Sequence, residues 1–61
     1  MAQEKDPYTP FIGKKVHVEL KTGQIIEGLM RQVDEYQIVV QNSNGSPVLV
    51  SRRWVALAEM L

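Results

Sequence analysis

Two adjacent arginines, Arg52 and Arg53, interrupt an apolar stretch near the end of the chain, with Val48-Leu49-Val50 before them and Trp54-Val55-Ala56-Leu57 after. A guanidinium is a permanent cation whose planar fork of donors suits carboxylates and phosphates. Locally, Ser51-Arg52-Arg53 reads as a solvated turn between two strands; chemically, the same turn can present cations to an anionic ligand. Tyr36 is a second residue of interest. Its ring either fills the core or serves as a platform on which a nucleobase stacks. Asp34 and Glu35 stand beside it, and a turn role suits them better than acid–base catalysis, since no partner group is indicated. His17 sits in an alternating strand and reads as a half-exposed strand residue. No spacing joins a nucleophile, a base and an orienting acid. "GQIIEG" lacks the Lys-Ser/Thr of a phosphate loop. The expectation is a protein that is not an enzyme and has no catalytic residues.

Composition narrows the setting. The chain has 61 residues, which allows one domain. Chains this small bury only about 60% of their unfolded surface and commonly lean on disulfides, a metal or oligomerisation. There is no cysteine and only one histidine, so neither a disulfide nor a histidine or thiolate metal site is expected, and no cofactor is implied. Self-association is the remaining route. Seven basic and seven acidic side chains cancel, so anion binding must come from local clusters, at Lys14-Lys15, Lys21 and Arg52-Arg53. The N-terminal residues have no apolar core of signal-peptide length, and no run approaches a membrane span. With the absence of cysteine, this predicts a cytoplasmic protein without a membrane partner.

The elements that would position these residues are mostly strands. Residues 1–11 form an arm or a short helical turn: Asp6-Pro7 can open a helix, but Pro10 stops it after one turn. Residues 12–61 carry the fold. "KVHVEL" alternates Val16, Val18 and Leu20 against His17 and Glu19. Gly23 closes a turn, and "QIIEGLMRQV" is apolar on both faces, with Gly28 marking a bend. "EYQIVVQN" is a third strand, Asn44-Gly45 a hairpin signal, and "VLVS" a fourth strand. "WVALAEM" fits either a fifth strand or a terminal helical turn. The predicted class is all-β: a small, strongly bent five-stranded antiparallel barrel of the SH3 or OB type.

One set of spacings is more specific. In "VHVELKTGQIIEGLMRQVDEYQIVVQN", a strand ends in Leu-Lys-x-Gly, followed at fixed intervals by Gly28, Asp34 and Tyr36. This resembles the first motif of the Sm and Sm-like (LSm) proteins, and is most similar to the bacterial RNA-chaperone type, Hfq. "VLVSRRWVAL" stands where the second motif stands. The resemblance spans about residues 12–58. It implies an Sm-like barrel whose N-terminal helix is shortened or absent. It also implies self-association into a closed ring, a hexamer or heptamer, through strands four and five, with single-stranded RNA, U-rich by this likeness, bound around the pore. Carried over by position, Tyr36 is the stacking residue and Glu35 its neighbour. Ser51 and Arg52 stand in place of a Lys-His pair, and Arg53 follows. Gly23, Gly28 and Asp34 are the structural positions, Asp34 being expected to accept backbone N–H bonds in its loop. Arg52 is the better RNA candidate of the two arginines, Arg53 the one expected to pair with an acid. Trp54 is expected at the subunit boundary.

Departures from the pattern set the alternative. Ile38 occupies the position of a uracil-reading asparagine, as in the bacterial type. Glu19 and Glu27 stand where that type contacts adenine-rich RNA on the opposite face, and carboxylates repel phosphate. Glu35 adds a negative charge near the pore. A protein-binding assembly module of Sm or SH3 type, with RNA binding lost, is therefore the second reading.

Overall fold

The computed structural model describes residues 6–61. It is all-β: five strands, β1 (Lys15–Leu20), β2 (Ile25–Val33), β3 (Gln37–Gln41), β4 (Pro47–Ser51) and β5 (Val55–Met60), make one antiparallel sheet in the order β4-β3-β2-β1-β5. No α-helix occurs among the described residues, only two 3-10 turns at Thr9–Phe11 and Arg52–Trp54. Among the described residues no helix is long and apolar enough to cross a membrane. The open choice at the C-terminus resolves to a strand, because β5 finds a partner in β1, with His17 opposite Glu59 and Val18 opposite Ala58. Helix propensity in Ala-Leu-Ala-Glu yields to that ladder. β4 and β5 end the sheet without pairing to each other, so the sheet is open.

Period-two alternation decides what is inside. Val16 and Val18 of β1, Met30 of β2, Ile38 and Val40 of β3, and Val50 of β4 are buried. Tyr8, Phe11, Leu20, Ile26, Val33, Val48, Val55 and Ala58 pack around them. The opposite face carries Lys15, His17 and Glu19 on β1 and Ile25, Glu27 and Leu29 on β2. This explains why β2 reads as apolar on both sides: Ile25 and Leu29 belong to the outer face and are exposed.

Curvature comes from two places. The β2–β3 register slips between Met30 and Gln32, and the β1–β5 register between Glu19 and Leu20; such irregularities bend and twist a ladder. Gly28 permits the closest approach. A β-carbon there would overlap the Gln41 carbonyl oxygen and sit 2.8 Å from its carbon, so the strand can fold over β3 only with glycine. The turns also follow their residues. Gly45 takes φ +83°, and Asn42 Oδ1 accepts from the Asn44 and Ser46 amides, both at 3.0 Å.

The arm is held at its root. Ile12 bridges Met30, and the Gly13 amide donates to the Met30 carbonyl at 2.8 Å. Asp6 Oδ1 accepts the Tyr8 amide at 3.0 Å, an Asx turn, and the Thr9 amide reaches the Asp6 carbonyl at 3.0 Å. The 3-10 turn Thr9–Phe11 has Tyr8 at its N-cap and holds Pro10 inside it, whereas the sequence predicts that Pro10 stops a turn opened at Asp6-Pro7; the observed turn ends at the extended Ile12.

Candidate functional site

The loop between β2 and β3 meets the turn between β4 and β5 because the strands pair in register. Gln37 lies opposite Ser51 in the β3–β4 ladder, which places Tyr36 beside Arg52. The Arg52 amide donates to the Tyr36 carbonyl at 3.0 Å, locking the two loops together. Around this point opens a depression of about 580 Å³, lined by Glu35, Tyr36, Ser51, Arg52 and Arg53. All five residues singled out as ligand-contacting by sequence thus share one surface. Tyr36 is 76% exposed. Its ring is no core filler in this chain.

The two arginines divide their work in the reverse of the sequence expectation. Arg52 carries the acidic partner. Its Nη1 donates to Asp6 Oδ2 at 2.6 Å and its Nη2 to Asp6 Oδ1 at 3.1 Å, a fork on a carboxylate. Nη1 also donates to the Asp34 carbonyl at 2.9 Å, and the guanidinium carbon lies 4.5 Å from the centre of the Tyr8 ring, within cation–π range. Arg53 makes no ion pair among the described residues and is exposed. The cause is local geometry: the 3-10 turn sends successive side chains in different directions, and only Arg52 faces the arm.

The Arg52 guanidinium, and secondarily the Tyr8 amide, hold the Asp6 carboxyl below its ordinary value of 3.8. Being depressed, this group contributes stability at pH above 3.8 and loses it as pH falls through the lower folded value.

The remaining positions have structural settings. Gly23 takes φ +95° and its amide donates to the Leu20 carbonyl at 2.8 Å, closing the β1–β2 turn. The Asp34 carboxylate was expected to accept backbone amides; it accepts instead from Gln32 Nε2, at 3.2 and 3.3 Å. The loop is held by the Asp34 main chain, through its amide to Gln37 at 2.8 Å and its carbonyl to Arg52. Trp54 is half-exposed at the end of the second 3-10 turn, and its carbonyl accepts the Lys21 amide at 2.7 Å. Lys15 lies elsewhere, in a second depression with Glu27, Gly28, Leu29 and Gln41.

On the outer face His17 is held between two carboxylates. Its Nδ1 is 2.6 Å from Glu27 Oε2 and its Nε2 is 3.0 Å from Glu19 Oε2. These partners, Glu19 first, raise the imidazole above its ordinary 6.5. Glu59 faces His17 in register from β5, and Lys15 shares the face. Among the described residues, no group of side chains is placed to hold a metal ion.

No family model and no curated protein matches this chain. The site rests on its own geometry.

Asp6 and Tyr8 are the residues that sequence reasoning missed as members of this site. In the sequence Asp6 reads only as the N-cap of a short helical turn. Its contact with Arg52 joins positions 46 apart in the chain, and no local pattern encodes that.

Proposed function

We propose that this chain is an Sm-like protein of the Hfq type, a ring-forming subunit that binds single-stranded RNA around a central pore. The observation that carries this reading is the shared depression of Tyr36, Glu35, Ser51, Arg52 and Arg53, with an exposed aromatic ring beside two guanidinium groups. Base stacking on such a ring contributes about 1–3 kcal/mol per base and tolerates any base. Cations beside it attract the phosphodiester, and repetition around a ring would multiply one subunit's modest charge.

The open sheet supports the assembly. β4 and β5 are its two edges, and edge strands are templates for pairing with another chain. They carry exposed Leu49, Leu57 and Met60. Six buried apolar side chains make a small core, of the kind that oligomerisation commonly supplements. In this reading β4 of one subunit pairs with β5 of the next, and the bent sheet becomes the small barrel of the Sm family.

The test is polyuridine titration by fluorescence anisotropy at two salt concentrations. Binding that weakens with salt and is lost in Tyr36→Ala supports the proposal; no binding at low salt rejects it. Arg53→Ala is a cleaner charge variant than Arg52→Ala, because removing Arg52 also frees the arm. The second reading, a protein-binding assembly module, draws on the outer face, where Glu19, Glu27 and Glu59 stand among exposed Ile25 and Leu57. A purified protein whose 260/280 nm absorbance ratio shows no nucleic acid, and which ignores polyuridine, would favour it.

A further inference from the structure

We propose that Asp6 and Tyr8 are a built-in competitor for the ligand of Arg52: the arm occupies an oxyanion subsite, and RNA binding requires that its carboxylate be displaced. This deepens the RNA-binding reading and rests on it.

The geometry of the latch is that of a bound nucleotide fragment. The Asp6 carboxylate oxygens take both terminal nitrogens of Arg52, at 2.6 and 3.1 Å. That fork is also where two oxygens of a phosphodiester would bind. The Tyr8 ring lies against the guanidinium at 4.5 Å, as a stacked base does. An anion and a planar ring, two residues apart, thus sit on one arginine. A guanidinium has five N–H donors. Nη1 spends its two on Asp6 and the Asp34 carbonyl, and Nη2 spends one on Asp6, which leaves Nε and one Nη2 hydrogen on the other edge. An incoming phosphate can take the Nη1–Nη2 edge, the one that faces Asp6, only by evicting that carboxylate.

The competitor is also preorganised. The Asx turn on the Tyr8 amide and the bond from the Thr9 amide set Asp6 and Tyr8 relative to each other. The root of the arm is fixed separately, by Ile12 and Gly13 on Met30, so the carboxylate can leave while the root stays. A tethered competitor acts at high effective concentration, and it lowers apparent affinity by the fraction of time that the site is open. Arg53, unpaired among the described residues and lining the same depression, remains available for first contact with the phosphate chain. An aspartate carboxyl is ionised at neutral pH, so the competitor carries its charge there.

The experiment compares wild type with Asp6→Asn for two probes at fixed ionic strength: inorganic pyrophosphate, read by side-chain NMR of Arg52 and the Tyr8 ring, and polyuridine, read by anisotropy. Thermal unfolding checks that the variant is folded. The variant should bind both probes more tightly, about tenfold for a latch closed nine-tenths of the time. In wild type, saturating pyrophosphate should shift the Tyr8 ring signals toward those of the variant. Should Asp6→Asn bind polyuridine as wild type does, or more weakly, the arm is a support and the latch proposal falls while RNA binding stands. Tighter pyrophosphate binding with no polyuridine binding in either protein would keep the latch and reject RNA. Were the variant unfolded, the wild-type titration alone decides: Tyr8 signals unmoved at saturation overturn the proposal. Binding of neither probe to either protein overturns both.

Discussion

At the turn between β4 and β5, one arginine is held by a carboxylate 46 positions away in the chain. On the outer face of the sheet, one histidine is held by a carboxylate two positions along its own strand and by another on the adjacent strand. The histidine cluster follows from strand alternation and antiparallel register, and cannot change without changing the sheet. The arginine cluster joins the sheet to an arm, and none of its side-chain bonds belongs to a strand ladder. A charge cluster made of sheet neighbours is suited to holding shape; one made with a side chain from outside the sheet, beside an exposed ring, is suited to exchanging ligands.

The largest expected effect destroys both clusters together. Gly28→Ala drives a β-carbon into the Gln41 backbone, which cannot yield as a flexible side chain would. Overpacking of this kind costs roughly 1–3 kcal/mol or more, a large share of a small domain's stability. Urea denaturation should show the loss. A variant as stable as wild type would mean that β2 does not curl over β3 as described, and both clusters would need new positions.

Next in size is Tyr36→Ala, which separates the two regions. It should weaken polyuridine binding by about 1–3 kcal/mol per stacked base while leaving the melting temperature and the His17 titration unmoved, since the ring is exposed. A large fall in stability would show that the ring is a packing element after all.

These two substitutions also mark how far the sequence could be read. Strand positions followed from alternation, and Gly28 was recognised as a bend before its contact with Gln41 was known. The five residues of the depression were carried over from the Sm-like resemblance, and register brings them together. Three features were not legible. The open edges depend on which strands fail to pair, which a strand pattern does not encode. The division between Arg52 and Arg53 depends on the direction in which a 3-10 turn sends each side chain. The Asp6 contact depends on where an arm folds back, which is set by Ile12 and Gly13 on Met30 rather than by Asp6's own neighbours.

A smaller effect tests the histidine side of the comparison. With its folded value raised, His17 contributes stability that is fully present below pH 6.5 and is lost as pH rises through the folded value. Glu27→Gln should bring the His17 titration, followed by NMR, back toward 6.5 and flatten the pH dependence of stability above it. Polyuridine binding should not change. An unshifted titration in the variant would assign the perturbation to Glu19 alone. A change in polyuridine binding would show that the two regions are coupled.

The central claim is that the open sheet closes through other copies of itself around a pore lined by Tyr36, Arg52 and Arg53. The native mass by light scattering, with and without nuclease treatment, tests it most directly. The account predicts a single closed multimer of more than four subunits that survives nuclease. A monomer at working concentration would contradict it, because β4 and β5 would then be edges that the protein leaves open.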